Sequence, residues 1–328
     1  MDKNGQLTFS DDPLLNGSNE VYQLIEDGKY NDAVLKLDRL LDIDHEYPGL
    51  IESYRIAKFW LNREDEINNL GNGKKRADFL MNEWETFDEY VHSKHMTETP
   101  AYKAAMKQVF FDASENYKLA FKKNEDATSN FDLLLNLGDC FLKLDEYKYT
   151  IDTLEYAKSS YNANARLLSI LGEAYFHEGD LTKSLSYFRE AFFIDPSEID
   201  LTLLKAAPIV KLVEIIKSEK KEFNDIREWV PVYGFLNDIF YVRRNLNKHQ
   251  VESIKKEIFN LEANYQRMDK EQINTTNIIP RLINKYIWML DYYEFQEYSF
   301  ENITDIRGRL IGIDKNLFTD FFKKSENK

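Results

Sequence analysis

The sequence predicts an all-α fold built from helix–turn–helix units, and three observations lead there. Two stretches repeat each other at an interval of 34 residues. Leu134, Leu137, Gly138, Phe141, Thr150, Leu154, Ala157 and Asn162 line up with Leu168, Leu171, Gly172, Tyr175, Ser184, Phe188, Ala191 and Pro196, without a gap. A period of about 34 is that of a helical-hairpin solenoid. Turn formers are also scarce, with 12 Gly and 7 Pro in 328 residues, while charged residues make up 30%. That balance favours helices over a turn-rich β fold. Outside the repeat, apolar residues recur at spacings of three and four, the period of a helix face.

Each column of the repeat has a physical task. Gly138 and Gly172 let the first helix of a unit approach its neighbour closely, and Phe141 and Tyr175 fill the space between layers. Thr150/Ser184 and Ala157/Ala191 are small where the second helix packs on the first. Asp195 and Pro196, ahead of Glu198, read as an N-cap and first turn that open another helix. A degenerate unit precedes them at about 18–47. There Gly28, Tyr30, Ala33, Leu37 and Leu40 match Gly179, Leu181, Ser184, Phe188 and Ala191 at a constant offset of 151. Glu20 and Val21 stand where Leu171 and Gly172 stand, so its first helix is eroded.

Three further helices are expected between these units: 49–69, 75–96 after Gly71-Asn72-Gly73, and one from Thr99-Pro100 to about Lys123. Residues 1–17 are polar and read as a flexible N-terminus. After Pro196 a helix carrying Leu201, Leu203 and Leu204, kinked or ended at Pro208 and continued by Ile209–Ile216, reads as the cover of the last repeat. The boundary of the repeat region is set at 222. Residues 223–328 form a non-repeat helical domain. In it Trp229–Leu236, with Pro231 and Gly234, reads as a turn or broken helix. Val251, Ile254, Ile258, Leu261, Tyr265 and Met268 form a coiled-coil-like stripe, and 281–298 is apolar almost all round. An internal hairpin of these two helices, closed by a last helix with Leu310, Ile311, Leu317, Phe318 and Phe321, is preferred to pairing between chains. A monomer is therefore expected.

The 34-residue pattern resembles the tetratricopeptide repeat (TPR) family, most clearly over the clear repeats 131–164 and 165–198. The resemblance implies a superhelix whose concave groove, lined by the first helix of each unit, holds a segment of a partner protein. Carried onto this chain, the groove positions are Asp132, Leu135, Asp139, Leu142 and Lys143, then Arg166, Ser169, Glu173, Phe176 and His177. Some TPR proteins clamp a chaperone's C-terminal carboxylate with five basic and amide side chains. Asn136 and Arg166 match two of those positions, Ile170 stands where an Arg belongs, and Ala101 and Ala105 replace a Lys and an Asn. Such a clamp is not expected. A groove of mixed charge with Leu142 and Phe176 as apolar anchors suits a partner segment carrying both signs.

Function classes narrow accordingly. The net charge of −14 disfavours nucleic acid as a partner. Cys140, the single cysteine, excludes an internal disulfide and a cysteine-based metal centre, and its place between Gly138 and Phe141 reads as a buried thiol. His92 and His95, with Asp88 a turn earlier, are candidate metal ligands on one helix face, weighed against an ordinary solvated face. Gly71-Asn72-Gly73-Lys74-Lys75 resembles part of a phosphate loop but follows a helix, so an inter-helix turn is the reading. The chain has no P-loop, dinucleotide, zincin or nucleophile-elbow motif. No cofactor, metal or catalytic residue is assigned. Lys217–Lys221 reads as a solvated helix end, Arg243-Arg244 as internal pairing, and Trp229–Val242 as core or an apolar docking patch. The N-terminus lacks an apolar h-region and no stretch is long and apolar enough for a membrane span, so a cytoplasmic protein is expected. The leading reading is a non-enzymatic protein-interaction scaffold. The alternative is a small-molecule or lipid binder with an aromatic cleft between the repeat region and the C-terminal domain.

Overall fold

A computed structural model describes residues 12–123, 130–161, 164–219, 223–241 and 245–325. It is all-α, and the chain splits into two compact units, Met1–Ala157 and Lys158–Lys328. The sequence places the boundary at 222/223 instead. The difference has a local cause, because the second clear repeat packs against helices of the C-terminal region.

Unit 1 contains α1 (Pro13–Glu26), α2 (Tyr30–Ile43), α3 (Leu50–Leu61), α4 (Glu64–Asn69), α5 (Lys74–Ser93), α6 (Pro100–Lys123), α7 (Asn130–Lys143) and most of α8 (Tyr147–Ser160). Residues 13–17, read as part of a flexible N-terminus, are helical. Asp12 accepts from Leu14 N–H at 2.9 Å, and α1 starts at Pro13. Residues 1–11 lie outside the described residues. The expected helix 49–69 is two helices, broken after Leu61. There Arg63 stacks on the Phe59 ring at 3.5 Å and donates to the Phe59 carbonyl at 3.1 Å.

α6 organises the unit, with α1, α3, α5 and α7 packed around it. Its buried small residues, Ala101, Ala104, Ala105, Ala113 and Ala120, permit close approach on several sides. Trp60, Trp84, Phe87 and Phe110 fill the space between helices with tilted and edge-on ring contacts. One buried polar cluster threads this core. Asn116 Oδ1 accepts from Gly73 N–H at 2.8 Å, and Asp112 receives Arg76 Nε at 3.2 Å. Tyr117 donates to Asp78 at 2.8 Å. The Gly71–Lys75 turn is thus engaged by α6 and joins two helices.

Unit 2 holds the end of α8, α9 (Ala165–His177), α10 (Leu181–Ile194), α11 (Ala207–Ser218), α12 (Ile226–Leu236), α13 (Lys248–Arg267), α14 (Lys270–Thr275), α15 (Ile278–Tyr292), a π-helical turn Tyr293–Glu297, α16 (Phe300–Ile313) and α17 (Lys315–Ser325). Asp195 caps only a 3₁₀ turn, Pro196–Glu198, and no helix covers 199–206 apart from a second such turn at Leu201–Leu203. Pro208 lies in the first turn of α11 (Ala207–Ser218) rather than kinking a longer helix, because its missing N–H costs nothing there. α12 and α15, not a helix opened at Pro196, pack on α10. α12 runs unbroken through Pro231. Its buried Trp229, Val230, Val232 and Tyr233 are held by α10, α11 and α15, and that packing outweighs the lost backbone bond. A Cβ on Gly234 would lie 2.2 Å from Phe240 Cδ2, which explains the glycine.

α13 and α15 form the internal hairpin. Leu246 N–H donates to Gln296 at 2.8 Å, and Glu257 meets Lys285 at 2.8 Å, so the two run antiparallel. Val251, Ile254 and Ile258 are buried on it. α10, α12 and α16 pack on α15 as well, so its apolar faces are met within the chain on several sides. The expected last helix is two, divided at Asp314, which accepts from Leu317 N–H at 3.0 Å. No helix among the described residues is long and apolar enough to cross a membrane.

The 34-residue repeat reappears in the backbone. α7 and α9 end at 143 and 177, and α8 and α10 run 147–160 and 181–194. Both turns close by the same three bonds, of which Glu146 N–H to Phe141 O and Asp180 N–H to Tyr175 O are each 2.9 Å. The α1–α2 turn repeats them through Lys29 N–H to Leu24 O at 2.8 Å. The left-handed residue is Gly28, Asp145 and Gly179 in turn. Within each clear unit the glycine meets a large side chain: an added Cβ would lie 2.5 Å from Leu154 Cδ2 at Gly138 and 2.8 Å from Phe188 Cδ1 at Gly172.

Two outcomes are expected. Gly138→Ala and Gly172→Ala should each cost about 1–3 kcal/mol by urea unfolding, from overpacking. Gly308→Ala, with open space around it, should stabilise by up to about 1 kcal/mol. Equal effects at all three sites would refute the close-approach account. Burial, helped by nearby Asp112 and Asp78, raises the Tyr30 and Tyr117 hydroxyls above their ordinary value of 10. Their folded values exceed the unfolded one, so the stability they contribute is full below pH 10 and is lost as pH rises through the folded values. The urea midpoint should therefore fall above pH 10, and less steeply in Tyr117→Phe.

Candidate functional site

The groove positions carried over from the repeat fall into two sets, described unit by unit. On α7 in unit 1, Leu135, Asp139 and Leu142 are buried, Asn136 and Lys143 are half-buried, and Asp132 is exposed. The cause is α6. Asn136 Nδ2 donates to the Tyr117 hydroxyl at 3.3 Å, and Lys143 Nζ stands 5.7 Å above the Phe110 ring. Helix α6 therefore covers much of the face assigned to a partner. Leu142, named as an anchor, serves the core.

On α9 in unit 2, Ser169 and Glu173 are buried, Arg166 and Phe176 are half-buried, and His177 is exposed. The Ser169 hydroxyl donates back to the Arg166 carbonyl at 2.8 Å. Glu173, 1% exposed, accepts Lys205 N–H on Oε1 at 2.8 Å and Ala206 N–H on Oε2 at 3.0 Å. His177 Nε2 lies 3.0 Å from Oε1. Ala206 is the N-cap residue of α11, and Glu173 accepts its N–H and that of Lys205, the two donors that lead into the helix. Glu173 fastens the 199–206 segment to α9 and is not available to a partner. Its place between Gly172 and Ala174, inside an apolar helix, was the sequence signal for such a role.

The metal reading loses its geometry. α5 ends at Ser93, and His95 has φ 55°, so it lies beyond the helix that holds Asp88 and His92. Asp88 Oδ1 accepts the Tyr102 hydroxyl at 2.7 Å. No cluster of three metal-binding side chains occurs among the described residues. Cys140 is buried, and burial raises its thiol well above the ordinary value. Arg243, Arg244, Lys220 and Lys221 lie outside the described residues.

A feature that sequence reasoning did not assemble lies within unit 2. A cavity of about 330 Å³ is lined from α10, the end of α12 and the turn after it, α15 with its π-helical extension, α16 and α17. Arg189 pairs with Asp291, and Arg307 with Glu294 at 2.9 Å. Its aromatic residues come from Phe235 to Phe322, nearly ninety positions apart in sequence, which is why no local pattern announces it.

No family model, curated protein or solved structure matches the chain. What the chain does is therefore argued from its own geometry. Glu173→Ala should cost on the order of 3 kcal/mol by urea unfolding, because two backbone donors lose their acceptor, while His177→Ala should cost under about 1 kcal/mol. A small loss in Glu173→Ala would return that side chain to the list of partner-facing residues.

Proposed function

We propose that this chain is a TPR-like protein-interaction scaffold without catalytic activity, which takes a segment of a partner protein. The observation that carries the reading is the recurrence at 34 residues of the last residues of α7 and α9, of both ends of α8 and α10, and of the turn bonds between them, with the same turn in α1–α2. Repeated helical hairpins supply a rigid platform, and the positions on their first helices are where such platforms meet partners. In this chain the burial of Leu135, Asp139, Leu142, Ser169 and Glu173 removes them from contact. Asp132, Asn136 and Lys143 on α7 in unit 1 remain accessible, as do Arg166, Phe176 and His177 on α9 in unit 2. On α9, Phe176 carries the apolar contact and its polar neighbours set selectivity. Monomeric state, a cytoplasmic setting and the absence of a nucleic-acid partner belong to the same reading.

Site-specific photo-crosslinking in the source cell tests it. A photoreactive phenylalanine at Asn136 should capture a protein species, and so should one at Arg166. The same probe at Lys148 or Thr182, exposed on the second helices, should not. Phe176→Ala should reduce capture through Arg166. Equal capture from first and second helices, or none from the first, overturns the proposal.

A further inference from the structure

The cavity lies in unit 2, and none of Arg166, Phe176 and His177 on α9 lines it. Six of its lining residues are aromatic: Phe235, Phe240, Tyr241, Phe295, Phe321 and Phe322. Phe235 and Phe321 rings lie 4.9 Å apart, and Phe321 and Phe322 rings 5.4 Å apart, so three of them form one continuous wall. Phe240 is held from behind by Phe192 at 6.1 Å. Tyr241 and Phe295 are partly exposed at the rim, 51% and 38%. The volume, about 330 Å³, falls at the lower end of small-molecule sites.

The charges lining the cavity decide what it takes. Two are positive and three negative. Arg189 is matched by Asp291 and Arg307 by Glu294. The remaining carboxylate is Asp238, which stands in the turn closed by Ile239 N–H to Gly234 O at 2.9 Å, with φ 54°. That turn holds Asp238 at the rim beside Tyr241. Both arginines are paired, so among the described residues the lining offers an anion no unmatched positive charge. It offers a cation aromatic faces and one unmatched carboxylate. Ring faces attract a cation through their quadrupole, most strongly where water is excluded.

We infer that this cavity binds a small organic cation, an ammonium group carrying an apolar body. Tyr241 receives the charged head beside Asp238, and the Phe235–Phe321–Phe322 wall receives the apolar part. The two ion pairs position the walls by linking α10 to α15 and the π-helical turn to α16. The site operates independently of the scaffold reading and stands or falls alone.

Calorimetric titration of the full chain with choline, benzyltrimethylammonium, benzoate and 3,3-dimethyl-1-butanol, the neutral carbon analogue of choline, tests the inference. Both cations should bind with millimolar or tighter affinity, benzyltrimethylammonium the tighter, and the alcohol should bind at least about tenfold more weakly than choline. Asp238→Asn keeps a side chain that tolerates the left-handed turn, and Tyr241→Leu keeps apolar bulk without a ring face. Each should weaken choline binding by about three- to tenfold with the melting temperature unchanged. Alcohol and choline binding alike, benzoate binding more tightly than the cations, unaltered binding in both variants, or no cation binding overturns the inference.

Discussion

The close approach of paired helices at a missing side chain is the constraint on which the clear repeats depend. At Gly138 and Gly172 the first helix presents bare backbone, and Leu154 and Phe188 of the second helix settle into the space. The degenerate unit obtains the same contact differently. Val21 stands at the expected glycine position, but Gly17, a turn earlier, lies where an added Cβ would be 2.5 Å from Leu40 Cδ2. The interhelical distance set by this contact lets the short turn close with its left-handed residue, and the turn in turn holds the second helix in register. A helix of ordinary thickness at these positions would push its partner away and leave the turn bonds unmade.

Buried polar groups then tie these apolar contacts to particular partners. In unit 1, Asn116, Asp112 and Arg76 attach the Gly71–Lys75 turn and the start of α5 to α6. In unit 2, Glu173 fixes the irregular chain before α11, Asn284 Nδ2 donates to the Phe192 carbonyl at 3.2 Å, and Glu228 receives Arg281 Nε at 2.8 Å. Each of these groups would cost free energy if left without its partner in a dry interior, so each selects one arrangement over others of similar apolar burial. A helical chain with few turn residues has many ways to pack; these polar contacts reduce the number.

The same economy explains why apparent site residues are spent on structure. Helix first positions that face a groove in a generic repeat are covered here by α6 on α7, and by the 199–206 segment at Glu173 on α9. A long helix such as α6, buried on several sides, takes up surface that an isolated hairpin would leave open. Of the groove positions on α7 and α9, those left accessible are polar apart from Phe176.

Local pattern carried a large part of this protein. The 34-residue period placed two helical hairpins, α7–α10, within 131–198, the Thr99-Pro100 signal placed the start of α6, and the stripe from Val251 placed α13, because capping and apolar spacing act within a few residues. The burial of Cys140 and the inter-helix nature of the Gly71–Lys75 turn were legible for the same reason. Tertiary structure alone decided the rest. Pro231 inside α12 is tolerated through packing with α10, α11 and α15; Glu173 acquires acceptor duty for N–H groups 32 and 33 residues away; and the unit 2 cavity draws its walls from five regions of the chain. Such outcomes depend on which distant surfaces meet, and a sequence encodes the faces of its helices far more openly than the neighbours those faces will find.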